Sequence, residues 1–329
     1  LKIDMSPIPI LVGPTGSGKT AAGLELARRQ GADVLSADSR QVYKHLSVGT
    51  SKPEGAWRDD PDHPLKTYYA VDGVPHHLMD FLEPDQPFSA GRFARRAENL
   101  LAALAAAERP ALLVGGTGLY LRALVDGLAP LPDRNDDFRK TLLARAERNG
   151  RAAVHAELAK IDPDAAAKIP PNNIARVVRA LEVFHLTGQP LSRWQKEQTR
   201  PSTRTFAWFG LRWEKNELEK ILEARCRRMV PGLLKETAAL LEKGLPPDAP
   251  ALQSLGYAAA IDVLNGKIPE EKFETDFFRE TRLYVKRQLT WFRANPRIRW
   301  IDLAPPFKPE RVAEKIQQLL RDASAAPGR

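Results

Sequence analysis

The chain has 329 residues and a mass of 36.6 kDa, with 43% hydrophobic and 28% charged residues. That suits about two domains, or one domain with a large insertion. No apolar run approaches the roughly 18–20 residues that a spanning helix needs, which excludes a helical membrane protein, and the single cysteine, Cys226, excludes an internal disulfide and cysteine-rich zinc modules. The net charge of +9 is lopsided: residues 1–120 carry 13 Lys/Arg and 14 Asp/Glu, whereas residues 121–329 carry 37 and 27. A basic half of this kind suits a polyanionic partner as well as ordinary solubilising charge.

The opening LKIDMSPIPI has no charged segment leading into an apolar one, so no secretory leader is expected. Leu1–Asp4 reads as extraneous to a natural start at Met5, and the cysteine usage suits a reducing cytoplasm. PIPILV reads as a short buried strand, and Lys19–Arg29 follows with helical spacing. ADVLSADS predicts a second short strand ending at Asp38. Gln41–Pro87, rich in Pro, His and Asp, is expected to form long irregular loops over a sheet. Ser89–Ala107 predicts a helix, Pro110–Gly116 a buried strand, and TGLYLRALVDGL another helix. Strands alternating with helices predict an α/β class, a parallel sheet flanked by helices.

Ala129–Asp137 marks a break, after which the pattern is helical to about Arg204, interrupted at DPD, KIPPNN and TGQP. Phe206–Trp213 returns to strand character, Glu214–Lys243 and Glu270–Phe292 predict long helices, and RIRWIDL predicts a late strand. In the second long helix, Leu283, Leu289 and Phe292 are expected in the core, with Lys286, Arg287 and Arg293 on an outer, RNA-facing rim. The expected organisation is an α/β core over 1–133 and 205–323, an inserted all-helical domain over 134–204, and a disordered tail over 324–329. No repeat of fixed period is visible.

Gly13-Pro14-Thr15-Gly16-Ser17-Gly18-Lys19-Thr20 ends the first strand and opens the first helix. Glycines let backbone N–H groups turn inward around oxyanions, and the helix N-terminus adds positive potential. Lys19 supplies a full charge, and the Thr20 hydroxyl can ligate Mg²⁺. The stretch is therefore a phosphate cradle. An ATP hydrolase of this type also needs an acidic residue at the end of a neighbouring strand. The ALLVGG strand ends in Gly115-Gly116-Thr117 instead, and the carboxylate that emerges near the loop is Asp38. His76 and His77, with His63 nearby, are expected to be structural or orienting, because neighbours in a strand face opposite ways and no regular His or Cys spacing supports a metal site.

Taken in order, GPTGSGKT, SADSRQVYKHLSVGTSKP (Ser36–Pro53), PHHLMD, LVGGTGLYLRAL, ARVVRALEVFHLTG and VKRQLTWFR resemble the signatures of the tRNA dimethylallyltransferase family, bacterial type. The resemblance covers most of the chain. It implies a P-loop NTPase-like fold with an inserted helical domain, and a reaction that needs no ATP. Gly13–Thr20 would bind the diphosphate of dimethylallyl diphosphate, and Thr20 would hold Mg²⁺. The dimethylallyl group would pass to the exocyclic N6 of the adenosine 3′ of the anticodon, tRNA position 37. By the same resemblance Asp38 is the general base, and Lys19 stabilises the leaving diphosphate. Asp38, Ser39, Arg40 and Gln41 would contact the flipped nucleotide, Thr117 would meet it near the reaction centre, and Arg139, Arg176 and Arg179 would touch tRNA. Arg176 and Arg179 share a helical face by spacing.

The family also places an arginine against the diphosphate, from the helix after the returning strand. Both Lys220-Ile221 and Arg225-Cys226 fit that pattern. LGYAAA (Leu255–Ala260) departs from the family's IGY followed by a polar residue, and one cysteine rules out the C-terminal zinc finger of some eukaryotic members. The implied partners are the anticodon stem-loop of tRNA and dimethylallyl diphosphate, with no membrane and a monomeric chain. Two other readings stay open. One is a small-molecule kinase using Asp38 as base toward a hydroxyl, which should carry a short arginine-rich lid. The other is a nucleotide-gated RNA-binding module without chemistry.

Overall fold

The computed structural model describes residues 7–325. The expectations about Leu1–Asp4 and Met5 lie outside the described residues, as does the part of the expected tail at 326–329. Packing divides the chain in two: one unit runs to Val125 and resumes at Thr203, and the other is Asp126–Ser202.

The first unit holds one eight-stranded sheet. Its strands are β1 (Ile8–Val12), β2 (Asp33–Ser36), β3 (Ala56–Asp59), β4 (Thr67–Val71), β5 (Val74–His77), β6 (Ala111–Gly115), β7 (Phe206–Trp213) and β8 (Ile298–Leu303). The order is β3-β4-β5-β2-β6-β1-β7-β8. From β5 to β8 every neighbouring pair is parallel, and the β3–β4 and β4–β5 pairs are antiparallel. Ile10 in β1 stands between Leu113 of β6 and Trp208 of β7, and Ile10, Leu11 and Val12 are fully buried. Burial on both faces explains why these strands read as continuous apolar runs rather than alternating ones.

Three helices follow within the first stretch of this unit: α1 (Lys19–Gln30), α2 (Ala90–Ala106) and α3 (Gly118–Val125). α2 begins where the Ser89 side chain accepts from Arg92 N–H, and it buries Phe93, Ala97, Leu101 and Leu104 along one face. The second unit is helical, with α4 (Asp136–Asn149), α5 (Arg151–Ile161), α6 (Pro163–Ala166), α7 (Ile174–Thr187) and α8 (Leu191–Gln198). Leu142, Val154, Leu158, Val177 and Leu181 form its core. The chain then returns for α9 (Lys215–Glu242), α10 (Tyr257–Leu264), α11 (Glu270–Arg293) and α12 (Pro309–Ala325).

Three expectations are corrected. Gln41–Pro87 is not only loop: it contains β3, β4 and β5, which extend the sheet. The β4–β5 turn is Asp72-Gly73 with φ 46° and 82°, a left-handed pair of the kind that closes tight hairpins. In α11 the buried stripe is Phe277, Thr281, Val285, Gln288 and Phe292, while Leu283 is 50% exposed. The tail expected to be disordered from 324 starts inside α12, which continues to Ala325.

Candidate active site

The parallel strands β1, β2 and β6 end at one edge of the sheet, the edge where α/β folds place their ligands. β1 runs into the Gly13–Thr20 loop, and α1 begins at Lys19 behind Gly18. Gly18 sits at φ 85°, and a Cβ there would stand 2.4 Å from the Phe307 ring, so no other residue fits. The loop is braced from behind by Trp213 Nε1, which donates to Ser17 C=O at 3.2 Å. The amides of Gly16, Gly18, Lys19 and Thr20 meet no protein acceptor among the described residues. Lys19 is half-buried along its stem, and its ammonium donates to Pro14 C=O at 3.3 Å. Burial lowers the Lys19 pKa from 10.5 to about 8; Asp38 opposes the shift and Arg225 adds to it.

β6 ends in Gly115, whose Cβ position lies 2.1 Å from Ala37 C=O. Glycine there lets the chain leaving β2 pass in contact with β6, which sets Asp38 beside the loop. Thr117 N–H donates to Ala37 C=O at 3.1 Å, and Thr117 Oγ1 accepts from Ser39 N–H at 3.0 Å. Asp38 Oδ1 accepts from Arg40 N–H at 2.9 Å and from Gln41 N–H at 3.4 Å. Its Oδ2 has no protein donor among the described residues.

Thr15, Lys19, Asp38 and Arg40 line one cavity of about 390 Å³. Lys19, Thr20, Asp38 and Gln41 line a second space of about 20 Å³, together with Ser36. Gly13, Pro14 and Ser17 are buried behind the loop's open face. The Gln41 carboxamide turns inward to Thr50 C=O at 3.3 Å and Ser51 C=O at 3.1 Å. Thus Asp38 and Arg40 face the larger cavity, while Ser39 and Gln41 mainly shape the turn.

Much of the rest of the larger cavity's lining comes from α9, α11 and the LGYAAA segment. Arg225 of α9 lies on the larger cavity and donates to Ser51 Oγ. Lys220, the rival for the same role, is 72% exposed in its side chain and paired with Glu217 at 2.7 Å. From α11, Tyr284, Arg287 and Gln288 line the cavity. Burial first, then the Asp38 charge, pushes the Tyr284 hydroxyl up to about 12, so it stays a proton donor. Leu255, Gly256 and Ala259 of the LGYAAA segment form another part of the wall.

In the helical unit, Glu182 is fully buried and organises the predicted arginines. Arg139 grips it bidentately, Nε to Oε1 at 2.7 Å and Nη2 to Oε2 at 2.8 Å. Arg179 adds a bond to Oε2 and another to Pro132 C=O at 2.7 Å, and Asn135 N–H donates at 2.8 Å. Burial would raise the Glu182 pKa, but the hydrogen bonds from Arg139 and Arg179 win and hold it at about 2. Arg176 is exposed.

A second cluster lies at the other end of β2. His63 Nε2 and His77 Nε2 meet Asp33 Oδ2 at 2.9 and 2.6 Å, and Arg109 Nε donates to Oδ1. These ligand-type atoms lie within 4.8 Å of one another. His63 Nδ1 accepts from Leu65 N–H at 3.2 Å, which puts the ring proton on Nε2, toward Asp33. Both oxygens of buried Asp33 are thus occupied by His63, His77 and Arg109.

The sequence pattern of the IPP transferase family matches residues 41–295, and that of the isopentenyl transferase family matches residues 6–57. A tRNA dimethylallyltransferase from Thermomicrobium roseum is 39% identical over 97% of this chain and 93% of its own. One from Myxococcus xanthus is 40% identical over 92% of this chain and 93% of its own. The crystal structure of a tRNA isopentenylpyrophosphate transferase from Bacillus halodurans superposes with a TM-score of 0.66 at 34% identity, covering 97% and 98% of the two chains. On the strength of a family match over most of its length, this chain belongs to the IPP transferase family.

Proposed function

We propose that this chain transfers the dimethylallyl group of dimethylallyl diphosphate to N6 of the adenosine 3′ of the anticodon, position 37 of tRNA, and releases diphosphate. The observation that carries the reading is the placement of Asp38. It shares a cavity wall with Lys19 and Arg225 and keeps Oδ2 free, while β6, the strand beside β1, ends in Gly115-Gly116-Thr117 without a carboxylate.

The loop amides of Gly16, Gly18, Lys19 and Thr20, with the charges of Lys19 and Arg225, receive the diphosphate. As the allylic C–O bond breaks, negative charge gathers on the leaving group, where fixed donors stabilise it most. N6 forms the new bond to that carbon and gives its proton to Asp38 Oδ2. The Oδ1 atom, held by the Arg40 and Gln41 amides, keeps the carboxylate aimed. The acceptor base is extruded from the anticodon loop to reach Asp38. The hydroxyls of Thr20 and Ser36 line the smaller space beside Lys19, and hard oxygen donors of this kind suit Mg²⁺. A bound ion would add positive charge against the diphosphate.

Arg40 on the cavity wall and exposed Arg176 meet RNA directly in this reading. Arg139 and Arg179 each give two donors to Glu182 or Pro132 and retain others of their five for phosphate. Ser39, Gln41 and Thr117 hold the turn that presents the nucleotide pocket. In this reading the chain acts as a monomer.

The test is incubation with unmodified tRNA and labelled dimethylallyl diphosphate in the absence of ATP. Label on a single adenosine of the digested tRNA is expected. An unlabelled tRNA overturns the reading, and phosphate transfer from ATP to a small hydroxyl compound replaces it with the kinase.

A further inference from the structure

Thr15, the third residue of the phosphate loop, has its amide already occupied. Thr15 N–H donates to Gln288 Oε1 at 2.9 Å, and Gln288 Nε2 donates to Gly116 C=O at 3.0 Å. These partners fix the carboxamide: an N–H needs an acceptor and a C=O needs a donor, so one of the two flips satisfies both. Gln288 is 7% exposed, and it lines the larger cavity with Thr15, Lys19 and Asp38. Ser17 N–H is also used internally, by Pro14 C=O at 3.2 Å. The amides left for an anion are those of Gly16, Gly18, Lys19 and Thr20, gathered at the start of α1.

A cradle of amides reads an anion by the number and place of its donors. In the diphosphate reading, the prenyl chain is taken to leave the loop at the Thr15 end, which lines the larger cavity. A triphosphate presents another charged phosphoryl group there. We propose that Gln288 sets the length of the phosphate chain that the loop accepts. By holding the Thr15 amide it leaves donors for two phosphoryl groups and a neutral wall where a third would stand. A third phosphoryl group would have to displace a buried carboxamide from both of its partners. The inference rests on the diphosphate reading above and adds to it the exclusion of triphosphates.

The experiment measures binding of inorganic diphosphate and inorganic triphosphate, each with Mg²⁺, by calorimetry on the full chain and two variants. Gln288→Met fills the space and releases the Thr15 amide; its triphosphate-to-diphosphate affinity ratio should rise roughly 10-fold, the effect of one freed hydrogen bond. Gln288→Glu keeps an acceptor for Thr15, loses the donor to Gly116 and adds a negative charge to the cavity wall. Its added charge should weaken binding of both anions and leave the ratio at or below that of the wild type. An unchanged ratio in the Met variant, or an equal rise in the Glu variant, overturns the proposal. A wild-type chain that binds both anions equally also overturns it, and this holds even if the Met variant does not fold. A wild-type chain that binds neither anion overturns the diphosphate reading itself.

Discussion

Asp33 opens strand β2 and Asp38 follows its end, so one short strand sets a carboxylate at each edge of the sheet. Asp33 is 0% exposed, and both its oxygens are filled, by His63, His77 and Arg109. Burial would raise its pKa, but the bonds from His77 and Arg109 outweigh that and lower it. Asp38 is half-buried, takes two backbone amides on one oxygen, and leaves the other toward a cavity that also holds a lysine and an arginine. Residue type and strand are shared; burial and satisfaction differ. A saturated buried carboxylate is structural, and one with an idle oxygen on a cavity is equipped for chemistry.

The largest effect that sharpens this contrast falls on stability. Asp33→Ala leaves three donors facing no acceptor and should cost about 3–5 kcal/mol, the usual penalty for breaking a buried charged cluster. Denaturant unfolding measures it, and the folded fraction should keep near-normal turnover. A cost below about 1 kcal/mol would break the contrast, because it is the size expected of an exposed pair.

Next comes α9. Arg225→Met should raise the KM for dimethylallyl diphosphate about 10-fold or more, as expected on losing a charge-assisted bond to a phosphate oxygen. Lys220→Met should leave it unchanged. Equal effects in steady-state kinetics would show that the cavity does not choose between them.

Smaller effects depend on pH. With Lys19 at about 8 in the empty site, diphosphate binding should weaken as pH rises through 8 and the ammonium loses its proton. Calorimetry between pH 7 and 9 reads this directly. For stability, burial lowers the pKa of His63, and lowers that of His76 from 6.5 to about 4. The unfolded chain therefore binds more protons than the folded one below about pH 6.5. Their contribution is fully present above that pH and is lost as pH falls toward 4, so the Tm at pH 5 should lie below that at pH 7. An unchanged Tm would mean that the histidines charge without cost.

The loop and Asp38 were legible because backbone geometry forces the residue type. Gly18 must take a positive φ under Phe307, and Gly115 must let Ala37 pass. Such constraints write themselves into the sequence at fixed spacing. The buried parallel strands were legible as apolar runs for the same kind of reason. The β4–β5 hairpin was missed, although Asp72-Gly73 between apolar runs is a strong turn signal. Its strands are four and five residues long, and β3 beside them is wholly exposed, so alternation is weak.

Gln288 was hidden differently. Helical spacing of apolar residues in α11 pointed to Leu283, but the face that packs carries Thr281 and Gln288, because it abuts a polar site. Glu182 was equally unreadable, since its partner Arg139 lies 43 residues away and only tertiary packing joins them. The choice between Lys220 and Arg225 also waited on which face of α9 meets the cavity.

The most direct test of the account is the single-turnover rate of prenyl transfer by Asp38→Asn with both substrates saturating. The Asn side chain keeps an acceptor for the Arg40 and Gln41 amides but has no basic oxygen for the N6 proton. The rate should fall at least about 100-fold, with the affinity for inorganic diphosphate nearly unchanged. A rate within a few-fold of wild type would contradict the account, because the free oxygen of Asp38 would then have no part in the chemistry.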